Sequence, residues 1–363
     1  MDIVAVTLLA GTVVGYFVLA GNDVGLGMLM PFVARGEAER RRVVRAAAPY
    51  FLGTEVWLVG AVGVVAGLFP ALKSAVITGM WPVFTVLLAG WLIRDAGLWF
   101  RGRFASAAGR GVCDAAIVTG SWTLALTWGL VFAGLLGGGA LPTPFAITCA
   151  ATVATLFALR GAAFGAERLV PRDTPAPVPG SAPAAVGGGG HAVAGGTMSG
   201  AVGAGGHAAA GGAMSGAVGA PAPAPRPSDA AESADAAARA TRPLARVALA
   251  GVVLTAGAAL LPGGAVADRP LMAVMLAVPL AVALAATSGL SGPGLARHTS
   301  AAAMALLPLL VAAAVALPVA AVPPGTSAMF WLGVGPALPF IALGQVALYR
   351  MLRRPAPAGG FFG

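Results

Sequence analysis

Apolar residues run along this chain in long blocks, not in strict alternation and not as narrow stripes. Windows of about 19 residues pick out nine blocks, near 3–33, 49–69, 72–94, 114–136, 144–165, 244–262, 270–289, 300–322 and 327–350. A helix needs about 20 apolar residues to cross the hydrocarbon of a bilayer. The pattern therefore predicts an all-α polytopic membrane protein with about nine transmembrane helices. The first block is long for one crossing and is expected to tilt or to run past the lipid. No basic region precedes it and it continues into Gly21–Phe32, so it does not read as a cleavable signal peptide.

These blocks divide the chain. Residues 1–166 hold a first group of five spans and 244–350 a second group of four, with a short cytoplasmic tail at 351–363. Residues 167–243 between them are Ala, Gly and Pro with scattered charges, a composition that cannot bury a core and reads as a disordered cytoplasmic linker. The linker carries a tandem 16-residue repeat at 189–204 and 205–220, identical at fourteen positions. The unit has no face to stack, so it is not a solenoid. His191 and His207 recur in it, but two isolated imidazoles in a Gly-rich tract make a poor metal site.

Composition agrees. Of 363 residues 58% are apolar, only 10% are charged, and the mean hydropathy is +0.88. That excludes an ordinary soluble enzyme. The two cysteines, Cys113 and Cys149, are too few for a disulfide framework or a four-thiolate metal site.

The net charge of +9 could suggest nucleic acid, but its distribution argues against that partner. The basic residues, 21 Arg and Lys73, sit in short clusters between the apolar blocks. With nine crossings, twenty of the arginines fall on one side, leaving only Lys73 and Arg269 on the other. By the positive-inside rule the N-terminus faces outward and the C-terminus lies in the cytoplasm.

Ionisable residues inside spans are few and are functional candidates for that reason. Asp23 lies about ten residues, or about 15 Å, from the cytoplasmic end of span 1, and Glu55 about 9 Å from the start of span 2. Antiparallel neighbours bring both to similar depth, where they could pass protons or contact a polar ligand, with Thr54 or water as the bridge. The plainer reading has them bonded to backbone or, for Glu55, reaching Arg45. Asp95 and Asp114 read as solvated interfacial pairs beside Arg94 and Arg110. Trp57, Trp81, Trp91, Trp99 and Trp331 read mostly as interface anchors. Closely spaced glycines, Gly11/Gly15, Gly21/Gly25 and Gly63/Gly67, permit close helix approach. His298 sits at a span edge and no histidine lies deep in a span. The chain alone therefore offers no obvious haem ligand, no metal-ligand cluster and no nucleophile–base pair, and no catalytic residue is assigned.

The segments GYFVLAGNDVGLGMLMPF (15–32), ERRRVVRAAAPYFLGTEVWLVGAVGVVAGLFP (39–70) and LIRDAGLWFRGR (92–103) resemble subunit II of cytochrome bd-type quinol oxidases. The matching positions are Gly21, Asp23, Gly25, Gly27, Glu39, Arg40, Pro49, Gly53, Glu55, Val56 and Trp57. The resemblance implies two four-helix bundles plus one peripheral helix, and a haem-free subunit that stabilises a haem-bearing subunit I and contributes a proton route from the cytoplasm. It also implies a bacterial plasma membrane, haems held by the partner, quinol as reductant and dioxygen reduced to water. The sequence departs from the family pattern as well. Ala20 and Asn22 replace an acid and a Phe, and Phe51-Leu52-Gly53-Thr54 stands where the family reads Trp-Asp-Gly-Asn. Leu52 cannot carry a proton as the usual carboxylate does.

Two other readings stand beside this one. A transporter would suit nine spans broken by prolines such as Pro308/Pro318 and Pro336/Pro339, although the two halves show no matching interrupted pair. A non-redox assembly or scaffold paralogue would suit the loss of the family acid at Leu52.

Overall fold

The computed structural model describes residues 3–137, 143–170, 227–261, 264, 268–289, 292–320 and 322–352, with backbone alone at 52, 227–231, 293 and 352. The repeat with His191 and His207 lies outside the described residues. So do Arg172, Arg226 and the tail from residue 353 onward.

Every regular element among the described residues is helical: α1 (Ile3–Val33), α2 (Glu37–Leu68), α3 (Pro70–Lys73), α4 (Trp81–Arg101), α5 (Ala107–Leu136), α6 (Pro144–Arg168), α7 (Pro227–Ala259), α8 (Pro270–Gly289), α9 (Pro293–Ala314), α10 (Pro324–Val334) and α11 (Ala337–Leu352). Eight of these are long and apolar enough to cross a membrane. The pair α10–α11, bent by 43° at Gly335-Pro336, makes a ninth if it is counted as one broken span. The helix starts have local causes. The Ser106 hydroxyl accepts the Gly109 N–H at 3.1 Å, and the Thr143 hydroxyl accepts that of Ala146 at 3.1 Å. At α2 the Glu39 carboxylate reaches back to the Gly36 N–H at 3.1 Å.

The helices pack as one unit, most closely as the pairs α4–α5, α6–α7, α1–α2, α1–α6, α8–α9 and α5–α6. α1 touches α2, α5, α6 and α9, so it forms the seam together with α6. α10 and α11 reach the other helices through α2. The expected all-α polytopic membrane fold is present. The outer surface is apolar where lipid would lie: Val59, Leu92, Val253, Leu271, Val278 and Leu343 are all exposed. The core at the seam is aromatic, with Phe17 ringed by Tyr16, Trp128, Phe132 and Phe157.

At one point the seam closes to backbone contact. A Cβ on Gly25 would run into the Phe157 carbonyl and the Gly161 backbone, and one on Gly161 would meet the Gly25 backbone. Only glycine permits α1 and α6 to cross there.

Several boundaries differ from expectation. The third span begins at Trp81 and runs to Arg101, not 72–94, because Pro70, a π-helical turn over Ser74–Thr78 and Gly79 interrupt the chain first. α9 ends at Ala314 instead of 322. α7 starts at Pro227, so the last part of the segment expected as linker to 243 is helix. Its run of alanines there favours helix strongly. Likewise α6 runs to Arg168 and α11 to Leu352, past the expected edges at 166 and 350.

Candidate functional site

α4 presents Trp91, Arg94 and Asp95 at i, i+3 and i+4, the spacing that puts side chains on one helical face. Gly90 and Gly120 let α4 and α5 approach until a Cβ on Gly120 would meet the Arg94 backbone. From this position Arg94 extends to α1. Its Nη2 donates to Asp23 Oδ2 at 2.6 Å, and its Nη1 to Asp95 Oδ1 at 3.0 Å. Asp23 and Arg94 are 2% and 3% exposed, so this is a buried ion pair. The second Asp23 oxygen accepts the Val24 N–H at 2.8 Å.

Glu55 of α2 continues the cluster. The Trp91 indole N–H donates to Glu55 Oε1 at 3.1 Å, and Trp91 shares a face of α4 with Asp95. Three helices thus bring together Asp23, Arg94, Asp95 and Glu55 inside the first group.

Two turns further along α4, or about 10 Å, a second cluster forms. Arg101 Nε donates to Asp114 Oδ1 at 2.5 Å, and its Nη2 to Glu37 at 3.2 Å. Arg40 reaches Asp114 at 3.5 Å, and Arg110 lies 3.0 Å from Glu37. Asp114 is therefore not a solvated partner of Arg110. It is 5% exposed and held by Arg101, because α4 extends far enough to carry Arg101 over it. Asp95 is also only partly exposed and belongs to the Asp23 cluster.

Arg160, counted from sequence with a loop, lies within α6 at 6% exposure. Its guanidinium donates to the Val18 carbonyl at 3.3 Å, the Arg297 carbonyl at 2.7 Å and the Ser300 hydroxyl at 3.2 Å. It ties α6 to α1 and α9, and its stem lies against Gly21.

The other expected positions fall as follows. Thr54 donates to the Tyr50 carbonyl of its own helix at 2.9 Å, so it does not bridge Asp23 and Glu55. Glu55 takes Trp91 as partner and not Arg45. Trp57 is a packing residue. It lies across Gly15 and donates to the Tyr349 hydroxyl at 3.2 Å, joining α1, α2 and α11. Gly27 faces Ser121, and Gly53 faces Leu348 and Tyr349. Sequence reasoning missed Arg94, Asp95 and Trp91 as site residues. Ending the span at 94 put the first two at a boundary; a span ending at 101 puts them well inside.

Among the described residues no cluster of His, Cys, Asp and Glu could hold a metal ion. His298 is exposed in α9. Cys113 and Cys149 are buried free thiols on different helices. Nothing in this set provides a buried imidazole to hold haem iron.

The sequence model of the family described as cytochrome bd terminal oxidase subunit II matches residues 1–173. The cytochrome bd-I ubiquinol oxidase subunit 2 of Escherichia coli K12 is 33% identical over 132 residues, 36% of this chain and 35% of that protein. A probable cytochrome oxidase subunit 2 of Haemophilus influenzae is 30% identical over 125 residues, 34% of this chain and 33% of its own length. The cytochrome bd ubiquinol oxidase subunit 2 of Bacillus subtilis is 30% identical over 131 residues, 36% of this chain and 39% of its own length. The chain thus matches little more than a third of the length of these curated relatives. The resemblance carried by residues 15–103 is borne out over the first 173 residues, which contain both ionic clusters.

Proposed function

We propose that this chain is the haem-free second subunit of a cytochrome bd-type quinol oxidase, in a bacterial plasma membrane with its N-terminus outside and its C-terminus in the cytoplasm. A haem-bearing subunit I is its partner. The partner's haems supply electron transfer from quinol to dioxygen, and this chain supplies scaffold and polar groups within the bilayer.

The observation that carries this reading is the buried Asp23–Arg94 pair with its extension to Asp95 and Glu55. A buried ion pair contributes little net stability compared with well-packed apolar residues. Ionisable groups inside a membrane mark proton and ion pathways by default. Glu37, Asp114 and Arg101 stand at the arginine-rich end, which the charge distribution assigns to the cytoplasm. Glu55 and Asp95 come next, joined through Trp91 and Arg94. Arg94 then fixes Asp23 at the seam with α6. In this reading Asp95 and Glu55 do the work for which Leu52 lacks a carboxyl group.

A separate apolar cavity of about 320 Å³ is lined by Val13, Phe17, Leu58, Phe84, Trp128 and Val315 among others. Its chemistry suits the tail of a quinone or a lipid acyl chain.

The test is purification through a tag on this chain, expressed together with a haem-bearing subunit I from the same organism. The expected result is a complex with haem absorption and quinol-dependent oxygen uptake, while the chain expressed alone carries no haem. A haem-free complex without oxygen uptake overturns the proposal. The loss of the family acid at Leu52 favours a second reading, a scaffold that moves no protons. It predicts full oxygen uptake and proton uptake in Asp95→Asn and Glu55→Gln.

A further inference from the structure

Arg94 and Arg101 stand two turns apart on one face of α4 and anchor the two ionic clusters. Gly97 lies between them on the same face. On α5, Asp114, Ile117 and Ser121 follow one another at i, i+3 and i+7, and on α1 Asp23 and Gly27 are four residues apart. These three faces meet. A Cβ on Gly97 would lie 2.9 Å from Ile117 Cγ1. A Cβ on Gly27 would run into the Ser121 hydroxyl and lie 3.5 Å from Ile117 Cγ2. The junction is therefore layered. Asp114 and Arg101 form its arginine-rich end. Ile117 comes next and fills the room that the two glycines leave. Ser121 follows, and one turn further along α1, or about 6 Å, Asp23 holds Arg94.

Ser121 is 0% exposed, and its hydroxyl has no hydrogen-bond partner among the described residues. Other hydroxyls of the same helix behave differently. Thr119, Thr123 and Thr127 each donate to the carbonyl four residues earlier, at 2.8, 2.9 and 2.6 Å. A buried hydroxyl without a partner lowers stability, and alanine is the same side chain less that oxygen. Stability alone would put alanine at this position. Residues that cost stability are characteristic of functional sites.

Ile117 is 3% exposed and its side chain offers no polar atom. It interrupts any chain of water between Asp114 and Ser121, as apolar constrictions do in channels. We propose that Ser121 passes protons from the Asp114–Arg101 cluster to Asp23, and that Ile117 is the apolar gate in front of it. When Ile117 turns aside, water enters from the Asp114 side. A proton from that water joins a lone pair of the Ser121 oxygen, while the hydroxyl's own proton leaves through a second water toward the Asp23 carboxylate. Each passage restores the hydroxyl, and nothing is oxidised or reduced. The inference rests on the proton-carrying reading above and supplies a link between the two clusters.

The experiment compares wild type with Ser121→Ala, Ile117→Ala and Ile117→Val, in the complex proposed above and in the full chain alone in bilayers. Thermal unfolding and quinol-driven oxygen uptake are measured. Solid-state NMR measures magnetisation transfer from water to the Ser121 side chain, whose signal is identified by its loss in Ser121→Ala. Ser121→Ala is expected to unfold at the wild-type temperature or above it, while oxygen uptake falls by about tenfold or more. A merely structural hydroxyl would not separate the two readouts in this way. Ile117→Ala should raise water transfer to Ser121 by about twofold or more, because a shorter side chain leaves room for water. Ile117→Val should do so to a smaller extent, and it carries the comparison if the alanine variant does not fold. Earlier unfolding of Ser121→Ala would assign the hydroxyl a structural bond and overturn the proposal. Unchanged uptake in Ser121→Ala, or unchanged water transfer in the folded Ile117 variants, would overturn it too. A wild-type complex without oxygen uptake counts against the oxidase reading; water transfer and unfolding, read on the chain alone, then decide the role of Ser121.

Discussion

Arg94 of α4 places its Nη2 2.6 Å from Asp23 Oδ2 of α1, with both side chains almost wholly enclosed. The pair links two helices that are not neighbours in sequence. Among the described residues Asp23 has no second cation beside it, whereas Arg94 keeps a second partner in Asp95 at 3.0 Å.

Removing Arg94 alone should therefore cost more than removing Asp23 or the whole pair. Arg94→Met alone should destabilise the chain by about 3–5 kcal/mol, and Asp23→Leu and the double substitution by clearly less. Unfolding in mild detergent, followed by circular dichroism, measures all three.

Asp95→Asn and Glu55→Gln leave shape nearly intact but each removes an ionisable carboxyl group. In the complex proposed above, each should slow quinol-driven oxygen uptake by about tenfold or more, a positioned proton-transfer group contributing about 10²–10⁴-fold. Introducing Leu52→Asp into either variant should restore part of the rate. Rates equal to wild type in both single variants would remove the proton-carrying role.

The α1–α6 crossing admits no side chain. Gly25→Leu or Gly161→Leu should separate the helices and lower stability by about 1–3 kcal/mol or more. Gly63→Leu, where a Cβ would meet nothing within 4 Å, should be close to neutral. Thermal unfolding of the three variants gives the comparison.

Orientation can be read by labelling. With Cys113 and Cys149 buried, a membrane-impermeant maleimide applied to intact cells should label Lys73→Cys and leave Arg103→Cys unlabelled until the membrane is opened. The reverse pattern would invert the assigned topology.

The length of each apolar block was legible without any structure, because the thickness of hydrocarbon sets a helix length and composition alone reveals it. The same holds for the arginine clusters at one end and for Asp23 and Glu55, whose charge stands out in an apolar run. Thr54 and Trp57 were legible as motif positions but not as contacts. A Thr on a helix satisfies its own hydroxyl against the preceding turn, and an indole packs wherever a glycine such as Gly15 makes room.

What tertiary structure alone decided is which helix faces which. Arg94 and Asp95 became a membrane-embedded site only when Gly79 and the turn before it shifted α4 by several residues, and only when Gly90 and Gly120 brought α4 against α5. Arg160 became a buried tie between α6, α1 and α9 for a similar reason. Hydrophobicity is additive along a chain and can be read locally. The partner of a buried charge depends on packing between distant segments, which no local pattern records.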